Sequence, residues 1–311
     1  MADHNTREHP IDAVILWVDG NDAKHQTRML PFLENKAIAH SKNFRTRFDQ
    51  VNEIKYTVDS LLKFAPFIRN IFIVTDQQIP AFIEDKKNIA TYKKVSIIDH
   101  LEIFTGYEEF LPTFNNRPLE TCIYRIPHLA EHFIYLNDDF FLINDTKPSD
   151  YFVDGKPVLR GKWRKIDKEK LNKRSKAGHK MAQQKAAQIA GFNKYYNFRH
   201  TPHPLRKSTF KDFFERNKDT FLENIKYRFR SENQFTPQGL ANHLEIKNKT
   251  CILQSDLQLL YFRSYKKPLF WYKYKLNTKS KNKLFLGLQS LDLCPPHILK
   301  YILKWLDKRM Y

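Results

Sequence analysis

Four short apolar runs, separated by amphipathic stretches, restrict the fold of this 311-residue chain more than any other feature of its sequence. Strands of a buried parallel sheet have this length and character, and the helices that connect them are amphipathic. We therefore expect an α/β fold with a mostly parallel sheet flanked by helices. The predicted strands are Ala13–Val18, Ile71–Thr75, Val95–Ile98 and Phe133–Leu136, and the predicted helices between them are Glu53–Phe64 and Leu119–His132, the latter interrupted or bent at Pro127.

An aspartate lies just past each of the four apolar runs. Open α/β sheets place their ligands outside the carboxyl ends of their strands. The pattern therefore predicts a polar binding site at one edge of the sheet. The four residues are Asp19, Asp76, Asp99 and Asp138.

The charge of the chain indicates an anionic partner. Lysine and arginine number 53 against 34 aspartates and glutamates, which gives a formal charge of +19. Nucleic acid, an acidic membrane leaflet and a phosphate-bearing substrate all fit this charge, so the motifs must distinguish them.

The cysteines and the apolar runs indicate the compartment. The chain has three cysteines, and their spacing fits neither a disulfide framework nor a metal site, which favours a reducing cytoplasm. Every apolar run is shorter than the roughly 20 residues that span a bilayer, so we expect a soluble or peripheral protein.

The second half of the chain is basic and is predicted to be mainly helical. The segment Lys156–Lys185 is dense in lysine and arginine. It fits a mobile lid or insertion over the binding edge as well as it fits a solvated surface helix with loops. Further helices are predicted around Phe210–Asn224 and Gln238–Leu244.

The C-terminal third interleaves aromatic and cationic residues in Tyr261–Lys275 and ends in an amphipathic helix, His297–Tyr311. This helix either packs on the core or docks on an anionic membrane surface. The aromatic and basic stretch also fits a platform for single-stranded nucleic acid, although no nucleic-acid-binding motif accompanies it. The helix has Lys300, Lys304 and Lys308 on one face and Ile298, Ile302, Trp305 and Leu306 on another.

The segment Phe133–Phe141, FIYLNDDFF, carries the sharpest chemical signal. Its apolar strand leads into Asn137 and two adjacent carboxylates, Asp138 and Asp139. Two like charges between apolar flanks are costly unless a cation or ligand shares the site. A divalent metal bound to a diphosphate meets this requirement, because hard cations take carboxylate and phosphate oxygens together. A helix cap followed by a turn acid is the alternative interpretation.

Two further segments carry candidate binding and catalytic residues. In Trp17–Asp22, WVDGND, a strand meets a glycine turn, where backbone can approach a ligand and an aromatic ring can stack on a base. In Arg199–Ser208, RHTPHPLRKS, the proline-stiffened His200 and His203 are candidates for metal ligation or general base catalysis. Each segment alone is also typical of an ordinary turn or surface loop.

A third segment, Phe229–Gln234, FRSENQ, places a cation and an acid close together. Arg230 is a candidate for a phosphate clamp, and Glu232 is a candidate for a metal-binding or orienting carboxylate. Taken alone, the segment is equally typical of a helix end.

In this order, the segments resemble the Stealth family of sugar-phosphate transferases. The family includes bacterial capsular and exopolysaccharide phosphotransferases and the catalytic subunit of the lysosomal GlcNAc-1-phosphotransferase. Two features depart from it: Leu284–Ser290, LFLGLQS, replaces a Cys-Leu-Asn-Asp-like segment, and Lys55 stands where some relatives have arginine. The resembling segments, which cover most of residues 11–245, are Ile11–Asp22, Arg47–Pro80, Leu111–Phe141, His200–Ser208 and Phe229–Gln234.

The resemblance implies a Rossmann-like or GT-A-like sheet and transfer of a sugar 1-phosphate from a nucleotide sugar, typically a UDP-sugar, to a glycan hydroxyl with release of UMP. It also implies Mg²⁺ or Mn²⁺ as cofactor and peripheral contact with the anionic inner face of the cytoplasmic membrane. The resemblance implies three catalytic residues: His200 as general base, Arg230 to stabilise charge on the transferring phosphate, and Asp139. It implies that the donor is bound by Trp17, Asp19, Gly20, Asp76, Asn137 and His203. It implies that the metal is bound by Asp138, Asp139 and Glu232.

Composition and resemblance together divide the chain into three parts of one integrated catalytic domain. Residues 1–155 are predicted to form the α/β part that binds nucleotide sugar and metal. Residues 156–198 are predicted to form the basic lid or insertion, and residues 199–311 the catalytic His/Arg segment with the helical C-terminal part.

Two other functions stay open. A metal-dependent GT-A-type glycosyltransferase would use the same sheet and acidic pair but release UDP. A nucleic-acid or membrane binding module explains the charge but not Asp138 and Asp139, since acids repel a polyanion, and we expect no nucleic-acid partner.

Overall fold

The computed structural model describes residues 9–36, 51–167, 178–199 and 201–311. Its strands are β1 Ile11–Leu16, β2 Ile68–Thr75, β3 Val95–Asp99, β4 His132–Asn137, β5 Phe140–Leu142, β6 Phe152–Val153, β7 Lys156–Arg160, β8 Lys162–Lys165, β9 Lys194–Asn197, β10 His203–Arg206, β11 Ile252–Gln254, β12 Leu259–Phe262 and β13 Phe285–Leu288. Its α-helices are α1 Ala23–Met29, α2 Glu53–Phe64, α3 Ala81–Glu84, α4 His100–Ile103, α5 Asn116–Cys122, α6 His179–Ile189, α7 Lys207–Arg216, α8 Lys218–Ile225, α9 Pro237–Asn248, α10 Leu269–Thr278 and α11 Pro296–Met310.

Five strands form the central sheet in the order β10, β4, β1, β2, β3. β4, β1, β2 and β3 run parallel, and β10 lies antiparallel beside β4 at the edge. The four parallel strands are the four that the apolar runs predict, so the predicted mostly parallel α/β sheet is confirmed. The part of the chain after residue 199 is mainly helical, as predicted, and it also supplies β10 to this sheet.

Alternate side chains of the parallel strands enter two separate cores, because helices cover both faces of the sheet. Ala13 and Ile15 of β1 pack on the face covered by α2 and α11. Val14 and Leu16 pack on the face covered by α5, α7, α8 and α9. The predicted helix Glu53–Phe64 is confirmed, and its apolar stripe lies on the first face.

The helix predicted for Leu119–His132 is much shorter in the structure. α5 ends at Cys122, a short 3-10 helix follows at Ile123–Arg125, and a turn then leads into β4. Pro127 cannot continue a helix, and His128 has a left-handed backbone with φ 59°. The apolar periodicity of this segment therefore belongs to a helix, a turn and a strand rather than to one helix.

The two helices predicted further along the chain have different bounds in the structure. The span Phe210–Asn224 holds parts of two helices, α7 and α8, which are separated at Asn217, where φ is −128° and ψ is 58°. The predicted helix Gln238–Leu244 is the middle of α9. α9 begins with Pro237, which suits the first helical position, and ends before Lys249 in the left-handed conformation.

The start of the basic segment is part of the folded core. β7 lies between β6 and β11, and its Val158 and Leu159 are buried. β8 and β9 form an antiparallel pair. α6 packs against α9, where the small residues Ala186 and Gly239 allow the helices to approach closely. Residues 168–177 of the segment lie outside the described part of the chain.

The C-terminal helix α11 is packed on the core. Its apolar face is buried against the first core and contacts α2. The amphipathic pattern of this helix therefore reflects packing, and that face is unavailable for membrane docking. Within the described ranges, no helix has both the length and the apolar character needed to cross a bilayer. The buried residues of the helix are Ile298, Ile302, Leu306 and Met310.

Candidate functional site

The carboxyl ends of β1, β2 and β4 meet at one edge of the central sheet. Leu16 of β1 is in register with Val74 of β2 and Asn137 of β4. The next residue, Trp17, donates its backbone N–H to Val74 O at 3.0 Å. The residues that follow these strands, Asp138 among them, therefore share one edge, as the sequence pattern predicts.

Asp138 and Asp139 form an acidic cluster with Glu53, a residue that sequence reasoning missed. Burial raises the pKa of Asp138 well above its usual range, and the charge of Asp139 adds to the effect. Burial and the charge of Glu53 likewise raise the pKa of Asp139. Burial and the charge of Asp138 raise the pKa of Glu53 to about 7. Asp139 Oδ1 is buried and has no hydrogen-bond partner among the residues that the structure describes. The three carboxylates destabilise one another when ionised, and a bound cation would relieve this repulsion.

One face of α2 holds the acidic cluster in place. Glu53 lies in the first turn, where the helix dipole favours a carboxylate. One turn later, Thr57 Oγ1 donates to Asp138 O at 2.5 Å. One turn further on, Ser60 Oγ accepts from Leu142 N at 3.1 Å. The spacing of residues 53, 57 and 60 puts all three on one helix face. This polar stripe beside an apolar one is the sequence signal that identifies Glu53.

A polar cleft with a cavity volume of about 100 Å³ opens beside β4. β4 contributes Tyr135 and Asn137 to its wall. His203 of β10 stacks on Tyr135 with ring centroids 6.5 Å apart, and Arg230 reaches the cleft from the loop between α8 and α9. Three of the predicted site residues, Asn137, His203 and Arg230, are thus brought together. The other lining residues are Asn116, Arg117, Glu120, Leu136, Phe140, His179, Thr201, Thr236 and Gln238.

Arg117 and Glu120 of α5 place opposite charges in the wall of the cleft. Tyr135 Oη donates to Glu120 Oε1 at 2.8 Å, and Gln238 Nε2 lies 3.4 Å from the same oxygen. Burial raises the pKa of Glu120. The hydrogen bond from Tyr135 and the charges of Arg117 and Arg230 lower this pKa, but their effect is smaller than that of burial. Sequence reasoning missed Arg117 and Glu120. Their signal is a pair of opposite charges three residues apart on a short helix with apolar neighbours.

The loop that carries Arg230 is tied to the start of α5. Arg117 Nη1 donates to Ser231 O at 2.7 Å, and Asn115 Nδ2 donates to the buried Gln234 Oε1 at 2.8 Å. Two segments that are distant in sequence therefore form one unit. These contacts fix the backbone immediately after Arg230, which positions its guanidinium at the cleft.

Of the six residues predicted around the donor nucleotide, Asn137 and His203 line the cleft. The other four follow β1 and β2 and are not part of this lining. The first turn is held by Gln78, which accepts from Asp19 N at 2.9 Å and donates to Asp19 O at 3.0 Å. The four residues outside the cleft lining are Trp17, Asp19, Gly20 and Asp76.

Asp76 is contacted by two basic residues of α1. Arg28 Nη1 donates to Asp76 Oδ1 at 2.9 Å, and His25 Nδ1 lies 3.5 Å from Asp76 Oδ2. Burial alone would raise the pKa of Asp76, but the proximity of His25 and the charges of His100 and Arg28 hold it below its usual range. Through these contacts, Asp76 holds α1 against the end of β2.

The remaining predicted site residues are placed as follows. His200, the predicted general base, lies outside the described residues. Glu232 is exposed, and its carbonyl oxygen accepts a hydrogen bond from Lys185. The described residues hold no set of three or more His, Cys, Asp or Glu side chains around a metal position, and Glu53 rather than Glu232 is the carboxylate that clusters with Asp138.

A wider, open groove adjoins the cleft, and Arg230 lines both. The groove has a cavity volume of about 570 Å³ and combines aromatic rings with cations. Phe229 stacks on Phe114 with ring centroids 5.4 Å apart, and the Arg228 guanidinium lies 4.7 Å from the centre of the Phe32 ring. The lining residues are Phe32, Lys226, Tyr227, Arg228, Phe229, Arg230, Ser231, Glu232 and Asn233.

Two family models match the chain. Stealth protein conserved region 1 matches residues 9–37, and Stealth protein conserved region 2 matches residues 47–158. These spans contain the first predicted block and the long second one, from Arg47 through Phe141. The acidic cluster and the α5 wall of the cleft both lie within the second match.

Similar proteins extend the match beyond these regions. The capsular polysaccharide phosphotransferase cps1A of Actinobacillus pleuropneumoniae is 30% identical over 286 residues, which are 88% of this chain and 71% of that protein. The exopolysaccharide phosphotransferase cps2G of Lactiplantibacillus plantarum is 32% identical over 264 residues, covering 73% of this chain and 72% of its own length. A solved structure of the galactosyltransferase LgtC, in complex with donor and acceptor sugar analogues, matches 96% of this chain and 95% of the LgtC chain. The two chains are 10% identical, and the TM-score is 0.47. This similarity supports no conclusion about activity. The sequence matches, across most of this chain and of its relatives, establish that the protein belongs to the Stealth family, together with capsular and exopolysaccharide phosphotransferases.

Proposed function

We propose that this protein transfers a sugar 1-phosphate from a UDP-sugar to a hydroxyl of a glycan, forming a phosphodiester and releasing UMP. The observation that carries this proposal is the polar cleft in which Arg230, His203 and Asn137 meet, at the strand end that also bears the acidic pair. Cations and acids at the carboxyl edge of parallel strands suit a diphosphate with a divalent cation. The names of the phosphotransferase relatives support the same class of reaction.

Asp138 and Asp139 are the residues that would hold Mg²⁺ or Mn²⁺ together with the donor diphosphate. The buried Asp139 Oδ1, which has no hydrogen-bond partner in the described part of the chain, fits this role. Mg²⁺ is commonly bound through one or two carboxylates plus substrate phosphates, so a complete ligand set from the protein is not required. When bound, such a cation offsets negative charge on the phosphate oxygens.

The reaction forms one phosphorus–oxygen bond and breaks another. The acceptor oxygen attacks the phosphorus that carries the sugar, and the bond from that phosphorus to the bridging oxygen breaks, so UMP leaves with the bridging oxygen. The sugar keeps its C1–O bond and its anomeric configuration. The acceptor proton passes to a general base, which family resemblance assigns to His200. Arg230 stabilises negative charge on the transferring phosphate, and its loop contacts hold it ready for this role.

The open groove is the proposed binding site of the glycan acceptor. It meets the cleft at Arg230, so a glycan in the groove would bring its hydroxyl to the donor phosphate. Phe32 and Phe229 offer apolar surface for sugar rings, and Arg228 adds a cation that suits a glycan already carrying phosphate.

Within the basic segment 156–198, the start is folded into the core, so we propose a lid role only for the part that contains α6. A cytoplasmic location belongs to the same proposal. His179 of α6 lines the cleft, and Lys185 of the same helix donates to the carbonyl oxygen of Glu232, so this part of the chain reaches the proposed site. The three cysteines, Cys122, Cys251 and Cys294, are free thiols, which agrees with a reducing compartment.

The nucleotide released during turnover tests the proposed reaction. The purified protein is incubated with Mg²⁺, a panel of UDP-sugars and a capsule-type glycan, with an EDTA control. We expect metal-dependent UMP together with phosphorus in the glycan. Release of UDP would instead identify a glycosyltransferase and would remove the roles given to His200 and Arg230.

A His200→Ala variant tests the base separately. We expect it to abolish turnover while leaving UDP-sugar binding, measured by titration calorimetry, largely unchanged, because the base acts on the acceptor hydroxyl. His297→Ala, at an exposed histidine of α11, is the matched control. A near-normal rate in the His200 variant would contradict the assignment.

A further inference from the structure

One stretch near the C-terminus concentrates positive charge. Residues 257–291 contain eight lysines and arginines and no aspartate or glutamate, between Asp256 and Asp292. These cations account for a large part of the formal charge of +19. The proposed reaction uses none of them.

α10 runs through this stretch and exposes aromatic side chains. Tyr272 and Leu276 are buried and seat the helix on the core. Phe270 is 71% exposed and Tyr274 is 50% exposed. Because these two residues are four positions apart, they share one helix face, and the exposed Lys273 lies beside them.

Lysine ammonium groups lie close to aromatic rings on and beside this helix. Lys279 Nζ is 5.8 Å from the centre of the Tyr274 ring, and Lys273 Nζ is 5.5 Å from the ring of Tyr301 on α11. Aromatic rings and lysines on one exposed surface are also the side chains that a membrane interface favours, because rings can enter the acyl region while ammonium groups stay at the headgroups.

We propose that the outer face of α10, formed by Phe270, Lys273 and Tyr274, docks on a bilayer rich in anionic phospholipid together with the exposed Lys266 and Lys267 that precede the helix. The run of cations without acids provides the charge complementarity, and each cation near such a surface strengthens binding about fivefold. Phe270 favours a bilayer over a soluble polyanion, because an exposed apolar ring gains free energy only where an apolar phase accepts it. The proposal is independent of the reaction proposed above.

Sedimentation with lipid vesicles tests the docking face in the full chain. We expect strong binding to equal mixtures of phosphatidylcholine and phosphatidylglycerol and weak binding to phosphatidylcholine alone. Phe270→Ser should weaken binding about tenfold, and the double variant Lys266→Gln/Lys267→Gln about 25-fold.

Matched controls come from another exposed segment, which also has two adjacent lysines and an exposed apolar side chain. Lys86 and Lys87 are exposed, and Ile89 is 65% exposed, but Glu84 and Asp85 precede them. Lys86→Gln/Lys87→Gln and Ile89→Ser should leave vesicle binding unchanged. Equal losses in the control and α10 variants would overturn the proposal, because binding would then follow overall charge or general stickiness.

A fluorescence measurement reports entry of the helix face into the bilayer. In Phe270→Trp, we expect brominated phosphatidylcholine within anionic vesicles to quench the added fluorescence relative to wild type. Full vesicle binding without added quenching would overturn the proposed orientation. Strong binding to dextran sulfate with no binding to anionic vesicles would overturn the membrane partner in favour of an anionic polysaccharide.

Discussion

Replacing Glu53 by glutamine tests whether the acidic cluster is maintained at a cost in stability. Glu53 is 5% exposed, and burial, together with the charge of Asp138, raises its pKa from an ordinary 4.5 to about 7. A carboxyl group with a higher pKa in the folded than in the unfolded protein loses stability as pH rises between these two values. At about 1.4 kcal/mol for each pKa unit, the full loss is about 3 kcal/mol once the pH is well above 7.

We therefore expect Glu53→Gln to change the free energy of unfolding little near pH 4.5 and to raise it by about 3 kcal/mol near pH 8. The glutamine oxygen can still accept the hydrogen bond that Glu53 Oε2 accepts from Val51 N. Urea denaturation in EDTA at the two pH values, followed by circular dichroism, measures both differences. Glu84→Gln, at an exposed carboxylate, is the matched control and should show no such pH-dependent gain.

A Glu53→Gln protein that is less stable than wild type near pH 8 would refute this reasoning, because the charged carboxylate would then be compensated in the fold. Mg²⁺ provides a second comparison. If the cation binds at this cluster, it should stabilise wild type more than Glu53→Gln, since it relieves the same repulsion.

Three other variants separate chemistry, positioning and folding. Arg230→Ala should lower kcat about 100-fold or more in the UMP-release assay with little change in the thermal midpoint, because the side chain is exposed. Gln234→Ala should lower kcat through the loop, and adding it to Arg230→Ala should lower kcat little further; an additive loss would contradict the positioning role. Arg69→Ala should cost about 2 kcal/mol in urea denaturation, because the fully buried Asp12 loses hydrogen bonds of 2.9 and 2.6 Å; a loss well under 1 kcal/mol would contradict this.

The parallel strands and α2 could be predicted from sequence because their signals are local. Runs of apolar residues mark a strand buried on both faces, and the 3.6-residue period marks the buried stripe of a helix. β10 was missed because His203–Arg206 contains Pro204 and looks like a stiff turn. Its position explains the discrepancy: proline is tolerated at an edge strand, and β10 is the antiparallel edge beside β4.

The site was only partly predictable for a related reason. Asp138 and Asp139 stand out because two adjacent acids follow an apolar strand. Glu53, Arg117 and Glu120 look like ordinary helix residues, and their importance arises from contacts with parts of the chain that are far away in sequence. Glu53 meets the acidic pair only because α2 packs beneath the end of β4.

The charges that act on the carboxyl groups differ between the acidic cluster and the cleft. The charges that raise the pKa of Asp138 and Asp139 come from other carboxylates, Asp139 and Glu53. The positive charges of Arg117 and Arg230 act instead on Glu120 across the cleft. Acids and arginines that paired directly would neutralise each other and attract neither a cation nor a phosphate. In the proposed reaction, the acids would attract a divalent cation, and Arg230 would attract the phosphate that the cation accompanies.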